Sequence, residues 1–193
     1  MKKIYAFFLA ACISSFAFAG GSQVALQGIK LQAMGHAGAA LHVDGSAIFF
    51  NPGAYSFVSK RVNVNVGANL VYGFTQFRQS GSDYYATTDN DVSTPFSLYA
   101  GARITDRISI GIGIYNPFGS GIRWESDWAG KYLIQEISLR TFFVQPTLSI
   151  QVTDWLGIGG GFVYGFGDVY LEKDLPIKSE SGERHYAALE GAT

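Results

Sequence analysis

The sequence predicts an all-β protein, a transmembrane antiparallel β-barrel with an N-terminal plug. Three observations support this prediction. From residue 60 onward, apolar and polar residues alternate with the period of two that is typical of strands with one apolar face. Charged residues make up 15% of the 193 residues, against about 25% in a typical soluble domain. Short turns alternate with long loops between the predicted strands, as in outer-membrane barrels.

The N-terminus has the pattern of a secretory signal peptide, predicted over residues 1–19. Lys2 and Lys3 precede a short apolar stretch, and residues 17–19 read Ala-Phe-Ala, a small-x-small cleavage site. The alternative is a lipoprotein processing site at residues 9–12, which would leave a short apolar core. Cleavage after residue 19 removes Cys12, the only cysteine, so we expect no disulfide in the mature protein.

Residues 20–59 are irregular and interrupted by glycines, and we interpret them as a plug, or hatch. The segment ends in a tight turn at Asn51-Pro52-Gly53, where proline fixes φ and glycine accepts positive φ. We expect this turn to hold the hatch in place; the alternative is that it only joins the hatch to the first strand. His36 and His42 are expected to be ordinary polar hatch residues, because a metal site would need a further ligand beside Asp44. No metal or cofactor is therefore expected.

The alternating part, residues 60–193, is predicted to form the first strands of the barrel. The predicted strands are residues 62–74, 96–104, 108–114, 142–152 and 156–166, with a sixth beginning at 187–193. Tight turns are predicted at residues 105–106 and 153–154, and long loops at 80–94, 116–136 and 176–186. Five strands and part of a sixth cannot close a barrel, and an open edge is not viable in hydrocarbon. The sequence therefore predicts the N-terminal part of a longer barrel.

A soluble lipid-carrying barrel alternates in the same way, with its apolar face inward. Three features favour the membrane. Several strands reach the roughly 9–11 residues that are needed to cross a bilayer. Aromatic residues such as Tyr72, Phe74 and Trp155 lie near strand ends, where interface girdles form. The polar faces carry more Asn, Gln, Ser and Thr than a dry core tolerates. The net charge of -1 gives no basic face for nucleic acid.

Three blocks, in order and spacing, resemble the outer-membrane long-chain fatty-acid and hydrocarbon transporter family (the FadL/TodX type). They are Gly35-His36-Ala37-Gly38 with residues 47–54; Asn116-Pro117-Phe118-Gly119 with Trp124 and residues 127–132; and residues 144–149 leading to the turn at 153–154. The resemblance covers the whole predicted mature chain. Family members are similar in having a fourteen-stranded barrel plugged by a hatch with an Asn-Pro-Ala motif, whose third position is Gly53 here.

The resemblance implies an uptake channel for hydrophobic compounds, above all long-chain fatty acids, in the outer membrane of a Gram-negative-type bacterium. Transport would be passive, without chemistry, with lateral release into outer-membrane lipid beside a kinked third strand. The sequence also indicates transport without catalysis, because the histidines lie in no recognisable nucleophile motif. Two alternatives stay open: a porin-like channel for polar solutes, which the hatch disfavours, and a barrel enzyme such as a lipase.

Two groups of residues are candidates for handling the ligand. Phe118, Trp124, Trp128 and Tyr132 lie in the predicted loop after the third strand and could capture an apolar ligand; the alternative is an interface girdle. The predicted lateral gate covers Gly113, Asn116, Pro117, Gly119 and Gly121. Proline cannot donate to a neighbouring strand, and glycine permits a bend or bulge. The alternative is that Asn116-Pro117 only ends the strand.

Overall fold

The computed structural model describes residues 26–37, 41, 44–177 and 185–193. The predicted signal peptide and His42 lie outside these residues. The described part contains helices α1 (Ile29–Ala33) and α2 (Ala47–Phe50) and a 3-10 helix (Ala54–Phe57). Its strands are β1 (Val62–Ala68), β2 (Gln76–Arg78), β3 (Tyr85–Thr87), β4 (Phe96–Arg103), β5 (Ile108–Tyr115), β6 (Gly119–Arg123), β7 (Glu136–Gln151), β8 (Gly157–Gly161), β9 (Tyr164–Asp174) and β10 (Tyr186–Ala192). No helix in the described part is both long and apolar enough to cross a membrane.

The strands form one antiparallel sheet in the order β1-β4-β5-β7-β9-β10. Strands β6 and β8 both pair with β7, while β2 and β3 form a separate hairpin. Each neighbour along the main path follows its partner in sequence, which is the meander expected for a barrel wall. The predicted mostly-β antiparallel architecture is confirmed.

The two faces of the sheet differ in polarity as the alternation predicts. On β1 the valines Val62 and Val64 are 64% and 68% exposed, whereas Asn63 between them is 8% exposed. On β5 the isoleucines face the same outer side, and Ser109 is buried on the inner side. The described residues 26–58, which we call the N-terminal segment, lie against the inner side through contacts with β5, β7 and β8.

Both predicted tight turns are present, and a threonine closes each. The Thr105 hydroxyl accepts hydrogen bonds from the backbone N–H of Arg107 and Ile108, at 3.3 and 3.0 Å. The Thr153 hydroxyl accepts from Trp155 and Leu156, at 3.3 and 2.9 Å. A hydroxyl that binds the following backbone stabilises a turn without any help from the sheet.

The strand bounds differ from the prediction in several places. β1 ends at Ala68, not at residue 74, because its partner β4 is preceded by Pro95, which has no N–H to continue the ladder. The predicted loops at residues 80–94 and 116–136 contain β3 and β6. The predicted fifth strand is divided into β8 and β9, next to Pro146 of β7.

Candidate functional site

The inner face of the sheet and the N-terminal segment share one buried apolar cluster. It consists of Ala47, Ile48, Tyr55, Val58, Tyr99 and Tyr115, with Phe49 and Phe143 packed against it. Four of these residues come from α2 and the 3-10 helix, Val58 directly follows that helix, and the other three come from β4, β5 and β7. Burial raises the pKa of the Tyr55 hydroxyl above its ordinary value. The apolar cluster therefore fixes the segment by packing.

The Asn51-Pro52-Gly53 turn connects α2 to the 3-10 helix. Gly53 has a φ of -64°, so the positive φ suggested for it by the sequence is wrong. The Asn51 side-chain oxygen accepts a hydrogen bond from the backbone N–H of Ala54 at 3.2 Å, and the Asn51 carbonyl accepts from the same N–H at 2.9 Å. The Pro52 carbonyl accepts from the Ser149 hydroxyl on β7. The turn is thus closed by its own asparagine and attached to the wall through a serine that the sequence did not single out.

The turn rests on a strip of glycine backbone in β8. A Cβ atom on Gly159 would lie 2.5 Å from the carbonyl carbon and oxygen of Pro52, and one on Gly157 would overlap the carbonyl oxygen of Gly53. A Cβ on Gly53 would in turn lie 2.7 Å from the Gly157 carbonyl oxygen. Backbone meets backbone here, an approach that only glycine permits.

Strand β5 and strand β6 are one strand interrupted at residues 116–118. β5 pairs with β7 as far as Tyr115 opposite Phe143, and pairing resumes with Gly119 opposite Arg140. Three residues on one strand therefore oppose two on the other, which is a β-bulge. Pro117 in this bulge is fully buried. On the opposite side, the ladder between β4 and β5 ends at Ser97 and Tyr115.

Side chains bind the backbone groups that the interruption releases. The Asn116 side chain donates to the Thr141 carbonyl at 2.7 Å and accepts from the Phe96 N–H at 3.2 Å, so it bridges β4 and β7. The Thr141 hydroxyl donates to the Phe118 carbonyl at 2.6 Å and accepts from the Phe118 N–H at 3.2 Å. Such replacements allow an interrupted ladder at membrane depth, where unpaired groups are costly. Nothing in the sequence marks Thr141 as the partner of these backbone groups.

The other gate candidates lie on either side of the bulge. Gly113 is buried in β5, where a Cβ would lie 3.1 Å from the Tyr99 ring. Gly119 begins β6, and Gly121 lies within it with open space at its Cβ position. All five gate candidates therefore lie in the bulge or in the strand ends beside it.

The four aromatic capture candidates occupy three different places. Trp124 and Trp128 stack on each other, with ring centroids 4.3 Å apart, in a small core with Ala86 between the loops. The Trp128 indole N–H donates to the carbonyl of Ile134 at 2.9 Å. Phe118 packs on Phe143 at the bulge, and Tyr132 is half exposed. The structure pairs the tryptophans and separates them from the other two.

The described histidines show no ligand geometry. His36 has a φ of 62° in the turn after α1, and its backbone N–H donates to the Leu31 carbonyl at 2.7 Å. His185 is exposed. Among the described residues, no three His, Cys, Asp or Glu side chains are grouped so that they could hold a metal ion.

These features define a class: an antiparallel wall with one apolar and one polar face, the polar face covered by a segment of the same chain. Residues 10–191 match the family model of the outer membrane protein transport proteins (OMPP1/FadL/TodX), and the chain belongs to that family.

Two known proteins are similar to this chain. One is a Neisseria meningitidis serogroup B protein named as a candidate outer membrane protein, 28% identical over 66% of this chain and 29% of its own length. The other is the crystal structure of a FadL homologue from Pseudomonas aeruginosa, with a TM-score of 0.66, 16% identity, and coverage of 90% of this chain and 47% of the homologue. The chain thus spans less than half of either relative.

Proposed function

We propose that this chain forms the hatch and part of the wall of an outer-membrane channel for passive uptake of hydrophobic compounds, with long-chain fatty acids as the expected substrate. The observation that carries the proposal is the two-sided sheet, whose exposed outer face is apolar while its polar inner face is covered. A contiguous apolar surface of this kind is unfavourable in water and matches the lipid-facing band of a membrane barrel.

Aromatic rings on the outer face support the membrane setting. Phe96, Phe142 and Phe166 lie side by side across β4, β7 and β9, with centroid separations of 6.2 and 5.7 Å. They lie near the end of the sheet opposite the tight turns, where an aromatic girdle would meet the outer interface. The short turns then face the periplasm, and the loops with the tryptophan pair face outward.

The N-terminal segment acts in this proposal as the hatch, residues 20–59, with Asn51-Pro52-Gly53 as the part that holds it to the wall. Its support is the combination of the asparagine-closed turn, the bond from Ser149 and the glycine strip of β8. A plug fixed by backbone packing closes the lumen to polar solutes. This distinguishes the proposed channel from an open porin.

Ligand capture is assigned to the outer loops. Tyr132 and its neighbour Leu133 are 50% and 80% exposed, and Lys131 lies 5.8 Å from the Tyr132 ring. Trp124 and Trp128 support these residues as the apolar core of the same loop, and Phe118 leads to the bulge. Because Lys131 is paired with Asp127 at 3.2 Å, the exposed apolar groups are what suits the chain of a fatty acid here.

Lateral release is assigned to the bulge, with Gly113, Asn116, Pro117, Gly119 and Gly121 as the gate. A fatty acid that leaves into the periplasm exposes its chain to water at a cost of about 0.8 kcal/mol per CH₂. Exit through the wall into lipid avoids that cost. The interrupted ladder supports this route, because side chains rather than strand pairing hold the wall together here.

Deleting Pro117 tests the route. The deletion leaves two residues opposite Thr141 and Phe142, so β5 and β6 can pair with β7 in one register. We expect uptake of labelled oleate to be lost, while ligand binding and heat-resistant folding are retained. Deletion of the exposed loop residue Ser80 is the matched control and should transport normally.

Normal uptake by the correctly folded Pro117 deletion would refute lateral release at this place. Liposome swelling with sugars tests the class of channel. Swelling at porin rates would refute a channel that is specific for hydrophobic compounds and favour one for polar solutes.

A further inference from the structure

Gln27 connects the N-terminal segment to the interrupted strand. Its side chain is completely buried. The Gln27 amide donates to the backbone carbonyl of Asn116 at 3.1 Å, and its oxygen accepts from the Tyr99 hydroxyl at 2.9 Å. The carbonyl it binds belongs to the bulge, where β5 leaves its regular pairing. A residue of the segment therefore satisfies a backbone group of the interruption.

Gln145 makes the same arrangement in the opposite direction. It lies on β7, 6% exposed. Its amide donates to the backbone carbonyl of Ile48 in α2 at 3.0 Å, and its oxygen accepts from the Tyr115 hydroxyl at 2.5 Å. Here a residue of the wall satisfies a backbone group of the segment.

The two tyrosines that bind these glutamines are neighbours. The rings of Tyr99 and Tyr115 lie with centroids 5.9 Å apart, and both side chains are almost fully buried. Tyr115 is also the last residue of β5 before the bulge. Each tyrosine donates to a glutamine oxygen, which fixes the glutamine amide toward the backbone carbonyl on the other side.

We infer that Gln27 and Gln145, held by Tyr99 and Tyr115, couple the hatch to the strand interruption, so that release of the hatch and widening of the interruption are one transition. This inference rests on the proposed function only in taking the segment as a movable hatch and the bulge as a gate. The glutamines and tyrosines are positioning residues, because they act on backbone groups of the hatch and the gate.

The coupling follows from the cost of unpaired buried groups. If the hatch moved while the bulge stayed closed, the carbonyl of Asn116, the hydroxyl of Tyr99 and the amide of Gln145 would each lose the hydrogen bond that the hatch provides. Leaving buried polar groups unsatisfied costs more than the bond itself contributes. A state in which only the hatch or only the interruption has moved is therefore the least populated. Coupling of this kind is reciprocal, so widening the interruption also favours release of the hatch.

Spin-label distances can test the coupling in the protein assembled in the outer membrane. One label pair, Ser120 and Thr94, spans the open side of the interruption; the other, Met34 and Asp106, spans the segment and the wall. All four labelled positions are exposed, so the labels can be attached without disturbing the core. The variants are Gln27→Leu, Gly159→Ala (a steric wedge under the turn) and their combination, with Asn69→Leu as matched control. Asn69 donates a single bond from the wall to the Leu26 carbonyl at 3.3 Å.

We expect Gly159→Ala to shift both distances together. Gln27→Leu removes two buried hydrogen bonds and should raise the widened population at 120–94 roughly tenfold. In the combined variant the distance between labels 34 and 106, from the segment to the wall, should still shift because the wedge is present. The distance between labels 120 and 94, across the interruption, should change no further than in Gln27→Leu, because the connection is already lost. Asn69→Leu should leave the 120–94 distances at those of the parent.

Three results would overturn the inference: parent-like 120–94 distances in Gln27→Leu, an equal effect of Asn69→Leu, or two distances that still move together in the combined variant. Uptake of labelled oleate by the same proteins separates this inference from the proposed function. If the distances respond as expected and uptake stays at the parent rate, the coupling stands and the transport route is wrong.

Discussion

A single methyl group on Gly159 should displace the hatch from its place on the wall. In the closed structure a Cβ at this position would lie 2.5 Å from the carbonyl carbon and oxygen of Pro52 and 2.7 Å from the N–H nitrogen of Gly53. These neighbours are backbone atoms of a tight turn and cannot rotate away. Since uncrowded carbon contacts are about 3.5 Å, Gly159→Ala requires the turn to retreat by roughly 1 Å.

The size of the effect follows from that overlap. Overpacking by one methyl group in a tight interior costs about 1–3 kcal/mol, and each 1.4 kcal/mol corresponds to a tenfold change in a population. We therefore expect the displaced state of the hatch to become roughly 5- to 150-fold more populated. The retreat also pulls the Pro52 carbonyl from the Ser149 hydroxyl, so the turn loses its bond to β7.

Gly160→Ala is the matched control, because a Cβ there meets nothing within 4 Å. Both variants should fold with the same heat resistance, since a methyl group on either face leaves strand pairing intact. Gly159→Ala alone should admit small sugars in liposome swelling and expose the N-terminal segment to protease. If the two variants leak sugar equally little and resist protease equally well, the glycine strip does not position the hatch.

Three further variants test neighbouring parts of the site. Asn51→Ala loses the side-chain bond that closes the turn, worth about 0.5–1.5 kcal/mol, and should increase protease cleavage of the segment and lower oleate uptake at unchanged heat resistance. Thr141→Val keeps the side-chain shape but removes both bonds to Phe118, and should change uptake, whereas it should leave binding of labelled oleate as in the parent. Trp128→Phe loses the indole hydrogen bond, and should weaken oleate capture by the loop more than it lowers the melting temperature of the whole protein.

The sequence predicts the wall well because its polarity pattern and strand geometry have the same period. Val62, Asn63 and Val64 alternate in the sequence and therefore face opposite sides of β1. Thr105 and Thr153 close their turns with local bonds that need no distant partner. Such features depend on residues within a few positions of one another, so a single sequence contains them.

The site is less predictable, because its contacts join residues far apart in the chain. Gln27 binds Asn116 across 89 positions, and Gln145 binds Ile48 across 97. A glutamine has no periodic pattern that marks it as a partner of a distant carbonyl. Strand β6 lies in the predicted loop 116–136, and its residues Gly119 and Gly121 have low strand propensity. Its pairing with β7 comes from the neighbouring strand and not from its own residues.

The inward glycines contain a signal that alternation alone does not reveal. Tyr55 lies over Gly101, Ile48 over Gly111 and the Pro52 backbone over Gly159, each so close that a Cβ atom would overlap it. Polar inward residues would keep a lumen wet, but they would hold a plug away from the wall. Glycine at these positions makes recesses that match the largest groups of the segment, and the strands keep enough backbone pairing to tolerate them. The glycines of the wall therefore mark where the N-terminal segment packs, and a glycine within an otherwise polar inward row indicates a contact with that segment.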